Sequence, residues 1–296
     1  MTQFIGSVNS LADLQTFILT TLSTNGWTVS GATAARDDIA VALDVADIGR
    51  VYFPQVALRL KINDAPGAVG VGALNATPTV PYIAMTFPAT CWIFIHTDPV
   101  EVYVFVNYDV DYYQWLAFGQ SPAAGAGSGV WAGATIGVPL VANGGTSRAG
   151  PVGITATTGG GGNSDITPAA LLWSTLSSVA GTLSRNSYWN SGAWVLLTQA
   201  IQAAAPHVAR SPSAWNNEAI LIPLRPAIAA AESRVQIVGQ IAHARYIRVD
   251  HYAPGEIITL GSEQWRVFPW YCKNTAARDG GSAVAHTGTF GVALKL

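Results

Sequence analysis

An α+β fold, mainly antiparallel β-sheet or β-barrel-like with a few helices in two subdomains, is predicted by three features of this sequence. One stretch near the start has helical apolar spacing, most other apolar runs have strand character, and turn residues separate consecutive runs.

The elements follow in order. SLADLQTFILTTLSTNG (10–26) reads as a helix over 10–23. Ser10 and Asp13 resemble a capping box, Leu11, Leu14, Phe17, Ile18 and Leu22 form one apolar stripe, and Asn25-Gly26 stops it. VALRLKI (56–62) sets Val56, Leu58, Leu60 and Ile62 against Ala57, Arg59 and Lys61, the alternation of a half-buried strand. CWIFIHTDPVEVYVFVNYD (91–109) reads as a hairpin bending at Thr97-Asp98-Pro99. Trp92 and Phe94 share one face and Ile93 and Ile95 the other, while Val100, Val102, Val104 and Val106 face away from Tyr103 and Phe105. A strand that is apolar on both faces has to be covered on both, by another sheet or by another chain.

Residues 119–166 are rich in Gly, Ala, Ser and Thr and end in TATTGGGGNSD, a composition that predicts long loops or a linker. It divides the chain into an N-terminal α+β domain (1–155) and a C-terminal β-rich domain (156–296) with a leading helix. That helix is expected over 167–183, with Thr167 as cap and Pro168 at its first position. From Ala219 strand signals return in AILIPLRPAI, RVQIVGQI, ARYIRVD, EIITLG, QWRVFPWY and GTFGVALKL. EIITLG and QWRVFPWY are expected to pair as a hairpin, and the final apolar strand to be tied into the sheet.

Composition limits the function. Of 296 residues 50% are hydrophobic and only 11% charged, against about 25% charged in ordinary soluble domains. Charge keeps a monomer's surface free of apolar patches, so the deficit points to a surface covered by other subunits. With a net charge of −2 and lysine only at Lys61, Lys273 and Lys295, the chain has no basic stripe for nucleic acid. No apolar run approaches the roughly 20 residues of a membrane span, and MTQFIGSVNSLADLQ does not read as a secretory signal. Cys91 and Cys272 read as free thiols of a protein made in a reducing cytoplasm.

The motifs of chemistry are missing. The glycines of 159–162 lack the Lys-Ser/Thr of a phosphate loop, and GAVGVGALNA (67–76) lacks dinucleotide spacing. Neither GxSxG nor SxxK occurs. His96 with Asp98, or His243 with Asp250 and His251, are the most metal-like sets. Yet an Asp beside a turn serves turn geometry, and His243 and His251 are about 27 Å apart on an extended strand. Glu101 and Asp109 bracket a strand and read as solvated strand-end acids. No catalytic, cofactor or metal residue is expected, and the chain reads as a non-enzyme.

The aromatic side chains carry the remaining signal. GSEQWRVFPWYCKNTA (261–276) puts five large apolar side chains, Trp265, Val267, Phe268, Trp270 and Tyr271, into seven positions. With Trp92, Phe94, Tyr103 and Phe105, its aromatics are expected to serve as core or subunit interface rather than as a stacking platform for a ligand.

The C-terminal segments NNEAILIPLRPAI, IVGQIAHARYIRVDHYAPGEIITLGSEQWRVFPWYCKN and HTGTFGVALKL resemble virion structural proteins of tailed bacteriophages. FVNYDVDYYQWLAFGQ (105–120) is consistent with that pattern, and between 120 and 218 the likeness is weak. The resemblance carries no catalytic residue. It implies a subunit of the head–tail junction (neck, collar, gateway or tail terminator) or of the tail, assembled in the host bacterial cytoplasm and resident in the virion. Its partners would be copies of itself, as in a ring of six or twelve, and other virion proteins. No membrane partner and no specific nucleic-acid binding are implied, apart from a genome passing through the assembly. The alternative is a surface adhesion or carbohydrate-binding protein of the tail tip or baseplate.

Overall fold

The computed structural model describes residues 1–47, 56–65, 68–72, 85–123, 128–138, 148–149, 166–167, 171–174, 190–191, 194–197, 219–225, 227–229, 235–237, 239–276 and 289–296. The first part comprises β1 (Thr2–Val8), α1 (Leu11–Thr24), β2 (Thr28–Ser30), β3 (Thr33–Arg36), β4 (Ile39–Asp47), β5 (Val56–Ile62) and β6 (Ala68–Gly72). Then come β7 (Ala89–Thr97), β8 (Val100–Asp109), β9 (Tyr112–Gln120), β10 (Val130–Ala134) and β11 (Ile136–Val138). Short strands β12 (Arg148–Ala149), β13 (Ile166–Thr167), β14 (Leu171–Ser174), β15 (Asn190–Ser191) and β16 (Trp194–Leu197) follow. The last group is β17 (Ile222–Leu224), β18 (Ala227–Ala229), β19 (Val235–Ile237), β20 (Ile241–Arg248), β21 (Ile257–Leu260), β22 (Glu263–Pro269) and β23 (Phe290–Lys295).

Three sheets dominate. A central eight-stranded sheet runs β1-β7-β8-β9-β10-β14-β16-β15, a six-stranded sheet runs β11-β6-β5-β4-β3-β2, and a five-stranded sheet runs β17-β20-β23-β22-β21. Apart from the short parallel pair β12–β13, the ladders are antiparallel. This is the α+β, mainly β class that the apolar patterning predicts. Among the described residues the barrel-like closure is not realised: each large sheet is open, with β1 and β15, β11 and β2, or β17 and β21 at its edges.

The central sheet is covered on both faces, as its two-faced apolar strands require. On one side Cys91, Ile93, Ile95, Val102, Val104, Val106, Leu116 and Phe118 pack with Leu58, Leu60, Val69 and Val71 of the six-stranded sheet and with Leu14, Ile18 and Leu22 of α1. On the other, Phe94, Tyr103, Phe105, Tyr113, Trp115 and Trp131 pack with Tyr246, Phe268, Trp270, Val292 and Leu294 of the five-stranded sheet. A smaller cluster of Ile247, Val249, Ile258, Trp265, Val267 and Ala293 lines the far face of that third sheet. The second cover is thus supplied by this chain's own sheets.

Local rules account for α1. Ser10 accepts the amide hydrogen of Asp13 (3.0 Å), a donor the first helical turn otherwise leaves free, and the Asp13 carboxylate accepts from the amide of Asn9 (3.1 Å), just ahead of the cap. The predicted hairpin of EIITLG (256–261) and QWRVFPWY (264–271) also forms: Leu260 pairs with Glu263 across Gly261-Ser262. Gly261 has φ of 62°, which a two-residue hairpin turn asks of a residue without Cβ.

Two expectations are corrected. The helix expected over 167–183 is absent where the chain is described, since Ile166–Thr167 and Leu171–Ser174 are strands. The latter pairs with β10 and β16, so ladder pairing overrode the capping signal at Thr167-Pro168; residues 175–189 lie outside the described residues. Nor is 119–166 simply loop or linker: Val130–Ala134 is a fully buried strand of the central sheet, and Ile136–Val138 pairs in the six-stranded one. The central sheet takes in strands from both sides of residue 155.

Candidate functional site

Antiparallel register brings His96 on β7 opposite Glu101 on β8, Glu101 opposite Gly119 on β9, and Gly119 opposite Trp131 on β10. The four share the face of the central sheet that meets the five-stranded sheet. Gly119 is obligatory in this row: a Cβ there would stand 2.4 Å from the Val100 carbonyl oxygen and 2.9 Å from Glu101 Cα. Its absence lets the neighbouring strand carry a carboxylate inward.

Glu101 is fully buried. The sequence expectation of a solvated strand-end acid is therefore corrected, although Asp109, at the other end of the strand, is exposed. Burial without partners would be prohibitive for a carboxylate, and Glu101 has many. It accepts from Tyr103 Oη (2.6 Å), from Ser121 Oγ, and across the sheet boundary from the amides of Ala242 (2.8 Å) and His243 (2.9 Å). His243 Nδ1 lies 3.0 Å away. Ser121 Oγ in turn accepts from Trp131 Nε1 at 2.7 Å. The His243 ring stacks on His96, centroids 3.9 Å apart and planes 12° from parallel.

Electrostatics follow from that enclosure. Burial alone would raise the Glu101 pKa, but hydrogen bonds from His243, Ser121, Tyr103 and the Ala242 amide outweigh it and hold the carboxyl below its ordinary range. Burial and then the Glu101 charge push the Tyr103 phenol well above its ordinary value. Burial, seconded by His243, lowers His96 to about 3. The imidazole of His96 is neutral at pH 7, and its Nε2 is buried without a hydrogen-bond partner.

Chemically this group fastens rather than reacts. A serine, a histidine and an acid are present, but the acid lies between the other two. Nucleophile activation needs the imidazole on the serine oxygen, whereas here Ser121 donates to Glu101. The node joins β8 to the start of β20. A second fastener works on the opposite face: the buried Gln114 amide accepts from the Gly72 amide (2.7 Å) and donates to the Gly72 carbonyl (2.9 Å), joining β9 to β6.

The sequence did not pair His96 with His243 or either with Glu101. Its metal-like sets are not assembled: Asp98 is exposed while His96 is buried, and Asp250 bonds to Arg248. His207 and His286 lie outside the described residues. Among the described residues no group of three His, Cys, Asp or Glu is arranged to hold a metal ion. The available signal was Glu101 itself, one charge inside a hairpin apolar on both faces.

Seven of the eight aromatic candidates, Phe94, Tyr103, Phe105, Trp265, Phe268, Trp270 and Tyr271, are buried within the chain. Trp92 is half-buried, 5.6 Å from Phe268 and 6.1 Å from Tyr113 by ring centroids. Phe268 is the hub, stacked on Phe105 at 4.5 Å and edge-on to Phe94. Trp270 packs on Trp115 at 5.0 Å, and Trp265 lies under the Arg245 guanidinium at 5.3 Å. These rings serve as core.

A scan against protein-family models finds no match to this chain, and a search of curated proteins finds no similar sequence.

Proposed function

We propose that this chain is a structural subunit of a tailed-phage virion, at the head–tail junction or in the tail, acting by assembly with copies of itself and with other virion proteins. The observation that carries the reading is a charge content of 11% combined with aliphatic side chains exposed along open sheet edges. Ile5 on β1 is 57% exposed and Ile257 on β21 43%, and both strands are outermost in their sheets. Edge strands of monomers are ordinarily guarded by charge, proline or bulges; β1, TQFIGSV, carries none of these along its ladder with β7. The sequence resemblance supports the same reading. Closure of such contacts about an axis would give a ring, of six or twelve in the phage setting.

The adhesin alternative calls for exposed Trp and Tyr beside polar side chains. Among the residues whose exposure is described the exposed large hydrophobics are Met1, Ile5, Val45, Val56, Val110, Ile220, Ile237 and Ile257, with no aromatic among them, which favours the assembly reading. Light scattering and particle imaging of the purified protein test it. A closed oligomer is expected, and a stable monomer that never enters particles would refute it.

A further inference from the structure

We propose that the Glu101–His243–His96 node is an acid-released latch, which at neutral pH holds the start of β20, and with it one end of the five-stranded sheet, against the central sheet. The inference is independent of the assembly reading and rests on how the node is closed. On the β20 side the tether is two amides, Ala242 and His243, and one imidazole, all directed at a single carboxylate. On the central-sheet side the same carboxylate already accepts from Tyr103 and Ser121. Its oxygens have no capacity left for a further donor.

His96 is the weak point of this closure. Its side chain is sealed, its Nε2 has no acceptor, and one ring face is covered by His243. Among the described residues, charged groups from several elements bear on a proton arriving there. From β8, Glu101 favours the charged ring; from β20, His243 opposes it; just ahead of β1, the amino group of Met1 opposes it; and from β23, Lys295 opposes it. Arg245 adds a further cation near Glu101 and Tyr103. Burial adds to the opposition and is the largest contribution. The proton is accepted only if His96 reaches water, and the route is separation of the two stacked rings. That movement carries the Ala242 and His243 amides off Glu101.

The direction with pH follows. A histidine whose folded-state pKa is depressed leaves the closed form fully favoured above the open-state value, about 6.5, and the advantage is lost as pH falls below it. One proton taken up per opening gives about a tenfold loss of closure per pH unit. Glu101, held below its ordinary range, contributes its own loss only at lower pH, so the window from about 6.5 to 4.5 belongs to the histidine.

Amide hydrogen exchange of the full chain between pH 7.5 and 4.5, corrected for intrinsic exchange, tests the latch. Protection at Ala242 and His243 is expected to fall about tenfold per unit below pH 6.5, while α1 and the β4–β5 ladder keep theirs. His96→Phe, which preserves an aromatic ring at the stack, is expected to abolish that slope. Imidazole nitrogen shifts of the unaltered protein, read over the same range, serve even if the variant does not fold. His96 gaining its proton as the two amides lose protection supports the latch. A His96 that stays neutral throughout that loss, a pH-independent protection, or an unchanged slope in His96→Phe overturns it.

Discussion

Both oxygens of Glu101 face donors: Ser121 and the Ala242 amide on one, Tyr103 and the His243 amide and ring on the other. Glu101→Gln would turn one acceptor into an NH2 that confronts those donors. A buried donor left facing donors, with a charge-assisted bond lost, costs on the order of 3 kcal/mol, to be read from denaturant unfolding at pH 7. Tyr103→Phe removes one donor and leaves the carboxylate its others, so about 1 kcal/mol is expected. Trp270 sits between the sheets, and Trp270→Ala is expected to cost about 3–5 kcal/mol. Trp265→Ala falls within the same range but nearer its lower end, because its cluster on the outer face of the five-stranded sheet is smaller. Loss of stability, not loss of glycan binding with the fold intact, is the outcome expected of both Trp variants.

Elements are joined in this chain by pairs of backbone groups received by one polar side chain. Gln114 takes both the N–H and the C=O of Gly72 and is itself fully buried. Gln114→Leu keeps roughly the volume and strands both backbone groups, a cost of about 2–4 kcal/mol in unfolding free energy. Gly119→Ala is expected to be as harmful as a core truncation, since the new methyl would meet the backbone of β8 rather than a side chain able to move aside. Crystallography or amide exchange of Gly119→Ala should show the disturbance at Glu101 and Trp131. If Gly119→Ala melts with the unaltered protein, the close approach of β8 and β9 is not required.

Among the described residues a central sheet lies between two other large sheets, and both faces of the 91–109 hairpin are covered inside the chain. The exposed aliphatic side chains Ile5 and Ile257 sit at the rim. Ile5→Lys on β1 or Ile257→Lys on β21 is expected to change stability by no more than about 0.5 kcal/mol, while placing on the edge the kind of charge that guards monomeric sheets. Sedimentation of these variants beside the unaltered chain is the check. Dissociation with an unchanged melting temperature supports contacts through the edges, and intact oligomers in both variants would direct attention elsewhere on the surface.

Apolar periodicity and turn chemistry determined α1 with its caps, the strand over 56–62, the hairpin of β7 and β8, and the C-terminal hairpin about a turn at Gly261-Ser262-Glu263, where the structure closes the ladder one residue earlier, at Glu263. These rest on contacts between near neighbours in the chain, where spacing and turn chemistry decide the outcome. The same patterning required cover on both faces of the 91–109 hairpin. Tertiary structure alone decided that the cover is this chain's own. It placed Val130–Ala134 and Leu171–Ser174 in ladders where composition and a Thr-Pro cap suggested loop and helix. The node was legible only as an oddity, Glu101 among valines and aromatics. Its setting is Gly119 opposite it on β9, Ser121 just past the end of that strand, and two amides 141 and 142 residues away. Sequence spacing carries no information across such a distance, whereas burial of a charge forces donors to be found wherever the fold can bring them.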